Sequence, residues 1–177
     1  MDKHEYRDGE ILLMSGGTPQ HSLITANVLR EIGIQLKGKP CGVYDSNLRV
    51  RIPRTVLYTY PDATIFCGRP DIDPNDPTGQ TIPNPRVLIE ILSPSTEAYD
   101  RGEKFGRYRQ LESLEESVLF SQASPRAESF LRQAGGTWLL TPTSGLDRTV
   151  TIQSIGIELP LSEVYAGAEF VDSIEPT

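Results

Sequence analysis

Few stretches limit a fold as tightly as Arg86-Val-Leu-Ile-Glu-Ile-Leu-Ser-Pro94. Its branched aliphatic run reads as a β-strand, in which successive side chains point to opposite faces. Val87, Ile89 and Ile91 then share one face, and Leu88, Glu90 and Leu92 share the other. Both faces are too apolar for water, so this strand belongs inside a sheet covered on both sides. Glu90 is a carboxylate with leucine on either side of it, costly to desolvate unless something charged meets it. What meets Glu90 shapes the functional reading.

A chain of 177 residues is about one domain, and no internal boundary is visible, so residues 1–177 are read as a single unit. The apolar runs are strand-sized, short of the roughly 20 residues a membrane helix needs. The start Met-Asp-Lys-His-Glu has neither the basic nor the apolar region of a leader. The expectation is a cytoplasmic protein with no membrane partner. Cys41 and Cys67 form no CxxC pair and there is no histidine cluster, so they are read as reduced, buried fillers rather than a disulfide framework or zinc site. A net charge of −7 argues against a general nucleic-acid coating protein but leaves room for a local basic groove.

Along the chain, Tyr6 to Met14 reads as a short hairpin turning at Asp8-Gly9, followed by a loop at Ser15-Gly16-Gly17-Thr18. Thr18 is an N-cap with Pro19 at the first helical position, and Ile24, Val28, Ile32 and Leu36 recur at helical spacing. One amphipathic helix over residues 19–37 follows. His21 lies on its apolar face; a core histidine bonded to a backbone carbonyl is the commoner arrangement there, a site role the rarer. Residues 47–52 alternate, with Leu48, Val50 and Ile52 inward and Arg49 and Arg51 outward. Tyr60 to Cys67 reads as a strand buried on both faces, with Asp62 at its beginning.

A polar, proline-rich loop with Asp71, Asp73, Asn75 and Asp76 leads on to the Glu90 strand. It fails as an EF-hand, which needs Gly sixth and Glu twelfth where this chain has Asp76 and Ile82. A solvated turn is the better reading. Ser93-Pro-Ser-Thr-Glu97 starts a second helix, with hydroxyl caps, running to about Glu112. Asp100, Lys104, Tyr108 and Leu111 fall along one side of it, so Lys104 points toward the body of the protein. Later strands are read at Ser117–Ser121, Arg126–Arg132, Thr137–Thr141 and Thr149–Ile152, with a short capped segment at Leu161–Tyr165.

Asp62, Glu90 and Lys104 together carry chemistry. Two acids on neighbouring buried strands can converge on a hard divalent cation, because Mg²⁺ prefers carboxylate oxygens while keeping several waters. A lysine on the next helix would orient or help deprotonate a metal-bound water and counter phosphate charge. Such a set suits phosphodiester hydrolysis. The same residues admit a structural reading, with Asp62 capping a strand start after Pro61 and Glu90 in a buried ion pair with Lys104 or Arg101.

Tyr60-Pro-Asp62, Leu88-Ile-Glu-Ile-Leu-Ser-Pro-Ser-Thr96 and Tyr99-Asp-Arg-Gly-Glu-Lys-Phe105 resemble the Uma family of restriction endonuclease-like proteins, within the PD-(D/E)XK nuclease superfamily. The resemblance extends from Asp8-Gly-Glu10 and His21 to Leu159-Pro-Leu-Ser-Glu-Val-Tyr165. It implies an α/β fold with a restriction endonuclease-like core, a mixed β-sheet flanked by helices, in which Asp62 and Glu90 bind Mg²⁺ (or Mn²⁺). The lysine that the superfamily places two positions after the acid is Leu92 here. In this family it has moved to the following helix, which fits Lys104; Arg101, one turn earlier, is the competitor. His21 and Glu10 match recurring family positions and border the cleft.

The reading is a metal-dependent endonuclease acting on DNA, with Asp62, Glu90 and Lys104 as the catalytic set. Arg49, Arg51, Arg101 and Arg107 are the candidates for DNA phosphates, since an acidic protein must concentrate its positive charge. A homodimer is expected, because two copies cut two strands most simply. One alternative is a catalytically silent nuclease-fold protein that binds DNA or a protein partner. Glycoside hydrolysis by the two carboxylates is a weaker alternative, since sugar clefts usually present aromatic platforms and Trp138 is the sole tryptophan.

Overall fold

The computed structural model of the chain describes residues 3–14 and 16–170; Ser15, read above as part of a loop, lies outside the described residues. The expected hairpin is present as β1 (His4–Arg7) and β2 (Glu10–Leu13), paired antiparallel. Its turn puts Asp8 at φ 51° and Gly9 at φ 97°, left-handed backbone that aspartate tolerates and glycine adopts freely. The helix α1 (Pro19–Leu36) begins where its cap dictates, the Thr18 hydroxyl accepting a hydrogen bond from the His21 N–H at 3.1 Å. Its stripe of Ile24, Val28, Ile32 and Leu36 is buried throughout.

Strands β3 (Cys41–Asp45), β4 (Arg49–Ile52), β5 (Leu57–Thr59), β6 (Ala63–Cys67), β7 (Thr81–Ile82) and β8 (Val87–Leu92) follow. A continuous helical stretch comes next: α2 (Glu97–Tyr99), a π-helical turn over Asp100–Lys104, and α3 (Phe105–Tyr108). The chain closes with β9 (Glu116–Ser121), β10 (Arg126–Arg132), β11 (Trp138–Ser144), β12 (Thr149–Ile152), β13 (Ile157–Pro160) and α4 (Leu161–Val164).

The main sheet has six strands in the order β11-β10-β9-β8-β6-β3, and a second has five in the order β2-β1-β5-β4-β7. Strand β8 runs antiparallel to β6 and parallel to β9. A parallel neighbour demands a crossover, and the helical stretch after β8 supplies it. On one face of the main sheet Val87, Ile89, Ile91, Val118 and Phe120 share a core with the α1 stripe and with Ile157 and Leu159 of the small β12-β13 ribbon. On the other face Leu88 packs with Val50, Ile52 and Leu57 of the second sheet and with Phe105, Tyr108, Leu111 and Leu114. Being covered twice, β8 is buried at all six positions, as its sequence requires. Glu90, on the Leu88 face, therefore points between the sheets toward the helical stretch.

Two expectations are corrected. The second helix stops short of Glu112: after Tyr108 the chain tightens into i→i+3 bonds, Gln110 N–H to the Arg107 carbonyl at 2.9 Å and Leu111 N–H to the Tyr108 carbonyl at 3.0 Å. Arg132, reaching from β10, donates to the carbonyls of Arg109, Leu111 and Leu114 and so satisfies groups that another helical turn would have used. At the other end the Ser93 hydroxyl bonds those of Ser95 and Thr96, and Thr96 caps no N–H with its side chain. The second correction concerns the cysteines, which are not reduced fillers. Strands β3 and β6 pair with Cys41 opposite Cys67, their Cα atoms 3.9 Å apart, and a disulfide joins them. Nothing in a separation of 26 residues announces this; the strand register creates it. Among the described residues no helix is long and apolar enough to cross a membrane.

Candidate functional site

Asp62 stands just before β6, and the register that pairs Ala63 with Ile89 sets it opposite Glu90 on the neighbouring strand. Its carboxylate is pinned across the gap, Oδ2 accepting a hydrogen bond from the Ile91 N–H at 2.7 Å. The partner of His21 is this carboxylate, its Nε2 lying 3.3 Å from Asp62 Oδ2, with the Ile91 backbone beside it. Asp62 above all holds the imidazole pKa above the usual histidine value, against the opposing effect of burial.

Glu90 turns toward the helical stretch. There the Lys104 Nζ lies 2.9 Å from Glu90 Oε1, 3.3 Å from Asp100 Oδ1 and 3.7 Å from Glu5 Oε1. The Tyr108 hydroxyl donates to the same Glu90 oxygen, and the Thr59 hydroxyl donates to Glu5. Each of these six residues is buried. Asp100, Lys104 and Tyr108 share one side of the helix, as their spacing requires, and the π-helical turn falls between the first two. Burial pushes the Glu90 carboxyl up to about 8, with Lys104 pulling the other way and Asp62 and Asp100 adding to the rise. Burial also works against the Lys104 ammonium, but Glu90, Tyr108, Asp100 and Glu5 outweigh it and hold that pKa well above the lysine range.

Glu5 and Thr59 escaped the sequence reading. They lie on adjacent strands β1 and β5, whose register pairs Tyr6 with Tyr58. The segment His4-Glu-Tyr-Arg7 is polar throughout, so no apolar alternation marks which side chain faces inward. Glu10, singled out instead, is exposed on β2 opposite Arg7.

The four arginines considered for DNA binding are each held by carboxylates. Arg101 turns away from Glu90, its Nε donating to Glu97 at 2.7 Å and its guanidinium pairing with Glu128. Arg107 pairs with Asp8 and, at 2.8 Å, with Glu103. Arg49 and Arg51 lie on the face of β4 opposite the buried Val50 and Ile52, so they are not brought to the acid cluster. Arg51 meets Asp73 at 2.8 Å and Arg49 meets Asp76 at 3.0 Å. Asp73 and Asp76 of the proline-rich loop are thus partners of these arginines, while Asp71 bonds Asn84, and Asp73 is buried rather than solvated.

Among the described residues no group of three or more His, Cys, Asp or Glu side chains is arranged to hold a metal ion. Asp62 and Glu90 remain a pair of hard oxygen donors on adjacent strands, the donor type Mg²⁺ takes while retaining most of its waters. Two carboxylates are too few for a closed protein cage, so an ion held by them would keep most of its waters.

The model of the Uma2 family, described as "Putative restriction endonuclease", matches residues 1–162. Two proteins of Synechocystis are similar along most of their length. "Uncharacterized protein slr1290" is 36% identical over 170 residues, covering 96% of this chain and 86% of its own. "Uncharacterized protein sll1609" is 30% identical over 144 residues, covering 81% and 80%. In fold the chain is similar to a crystal structure described as "a putative nuclease belonging to DUF820" from Anabaena variabilis. That comparison has a TM-score of 0.74 and 18% identity, and covers 92% of this chain and 89% of the other.

Proposed function

From the premise that this chain belongs to the Uma2 family of restriction endonuclease-like proteins, we propose that it is a divalent-metal-dependent endonuclease acting on DNA. The observation that carries this reading is the desolvated Glu90, opposite Asp62 on the adjacent strand and 2.9 Å from the Lys104 ammonium. Asp62 and Glu90 would hold Mg²⁺ or Mn²⁺, which when bound polarises a phosphate oxygen and lowers the pKa of a coordinated water. The protein's own residues do the rest. The Ile91 N–H and His21 orient Asp62, and the Tyr108 hydroxyl orients Glu90. Lys104 supplies a fixed positive charge, and a proton at Nζ, beside the phosphate undergoing attack. Arg101 and Arg107, on the same helical stretch, would exchange their carboxylate partners for backbone phosphates as DNA enters. Two copies related by a twofold axis would address the two strands of a duplex.

The test is cleavage of supercoiled and linear DNA with Mg²⁺, with Mn²⁺ and after chelation. Metal-dependent nicking or linearisation that Glu90→Gln abolishes is expected; cleavage unaffected by both chelator and Glu90→Gln would end the reading. The second reading, a silent nuclease-fold protein that binds DNA or a protein partner, draws on the direct Lys104–Glu90 pairing and on a two-carboxylate donor set. DNA binding without cleavage under every metal would favour it.

A further inference from the structure

Lys104 has three N–H donors, and three carboxylates from three separate elements converge on them: Glu90 from β8, Asp100 from the preceding turn of the same helix and Glu5 from β1. A structural ion pair needs one acid. Three buried acids crowd one ammonium, more than a structural pair requires, and a buried polar group is costly unless it has a partner. The acids come from both sheets, since Glu5 arrives from the second one and is fixed there by the Thr59 hydroxyl.

The ammonium lies closest to Glu90, on the very oxygen that receives the Tyr108 hydroxyl. Resting on the proposed metal-dependent activity, we infer that Glu5 and Asp100 are positioning residues that receive Lys104 when Glu90 takes up a cation. Lys104 and the ion compete for one carboxylate. Without a second home the lysine would either block the ion or be left as an unpaired buried charge beside it. Glu5 and Asp100, already 3.7 and 3.3 Å from Nζ, provide that home and keep the ammonium at hand for the reaction. Metal affinity then depends on Glu5 only while residue 104 is a lysine.

A double-mutant cycle read by calorimetry tests this without any measurement of cleavage. Mn²⁺ is titrated into the full chain as wild type, Glu5→Gln, Lys104→Met and the double variant at fixed pH. Glu5→Gln is expected to weaken Mn²⁺ binding about 10-fold when Lys104 is present and to change it little in the Lys104→Met background, a coupling in the usual range for neighbouring residues. Equal weakening in both backgrounds would mean that Glu5 acts only through its charge, and no weakening in either would mean that it is idle; each result overturns the inference while leaving the metal site standing. Wild type that takes up no Mn²⁺ would remove the functional reading and this inference together. Thermal melting checks that each variant is folded. If Glu5→Gln is not, Asp100→Asn and Thr59→Val, which removes the hydroxyl holding Glu5, carry the same cycle.

Discussion

The ammonium of Lys104 stands 2.9 Å from the carboxylate of Glu90, although one is carried by the helical stretch and the other by the strand that precedes it. That distance makes the pair a unit with opposite tasks. In the proposed site Glu90 would be the metal ligand, and removing it would remove both charge and oxygen from a site with few of either. Lys104 would be the ion's rival for that oxygen and Glu90's helper in the reaction. Asp62→Asn and Glu90→Gln are therefore expected to abolish metal binding and cleavage alike. Lys104→Ala should leave metal binding intact or tighter, yet slow cleavage by roughly 10²-fold, the scale of a missing acid/base or charge-stabilising group. Calorimetry beside single-turnover cleavage separates the two effects. Arg101→Ala should leave single-turnover catalysis on bound DNA within a few-fold, because Arg101 faces Glu97 and Glu128 and not Glu90; a loss as large as that of Lys104→Ala would transfer the role to the arginine.

DNA binding is a different question, answered by salt dependence. Replacing Arg101 and Arg107 together should weaken binding on all sequences alike and flatten its dependence on log salt by about one unit for each phosphate no longer neutralised. Replacing Arg49 and Arg51 together should first lower stability, because each neutralises an aspartate on the outer face of the second sheet. Filter binding across salt concentrations, beside denaturation curves, distinguishes the two pairs. A flattened slope from the Arg49 and Arg51 pair would put the DNA on that outer face.

The Cys41–Cys67 link has an effect that can be measured. It closes a loop between positions 26 apart, tying strand β3 to β6, the strand that Asp62 precedes. Cross-links of that span restrict the unfolded chain by an amount worth ~2–4 kcal/mol. Cys41→Ser with Cys67→Ser should lower the free energy of unfolding by this amount in denaturant melts, and a reducing agent should do the same to wild type. Unchanged midpoints in both cases would show that the link adds nothing to stability.

How much of this was legible in the residues depends on whether a side chain's setting is local. The alternation of Val87 to Leu92 reveals a strand covered on both sides, and helical spacing places Asp100, Lys104 and Tyr108 on one inward face. Thr18 and Pro19 mark the start of α1 for the same reason: capping involves residues next to one another. Glu5 was out of reach because its burial is decided by which strand β1 pairs with, not by its neighbours. The disulfide and the short strands β3, β5 and β7 share that origin. So do the ion pairs of Asp73 and Asp76, whose polar loop reads as solvated until the partner arginines of β4 are in place.

Those last two acids make the pH prediction. Asp73 accepts from the Asn75 backbone and from Arg51, bonds that outweigh its burial and hold its carboxyl below the usual aspartate value. Asp76 is lowered further, chiefly by the Thr78 and Thr81 hydroxyls, with Arg49 beside it. A carboxyl whose folded pKa is depressed adds stability that is complete above its unfolded pKa, about 3.9, and is lost as pH falls through the folded value. The chain should therefore lose stability on acidification below about pH 4. Asp73→Asn should be less stable than wild type at pH 7 by roughly 1.5–3 kcal/mol, the worth of hydrogen bonds to a charged group. Because wild type itself protonates Asp73 in acid, the gap must narrow as pH falls from about 4 toward 2. Urea melts at pH 7, 4 and 3 measure it. A gap that stays constant over that range would mean that Asp73 stabilises the loop through its shape and its bonds to Asn75, and that the charge of Arg51 contributes nothing.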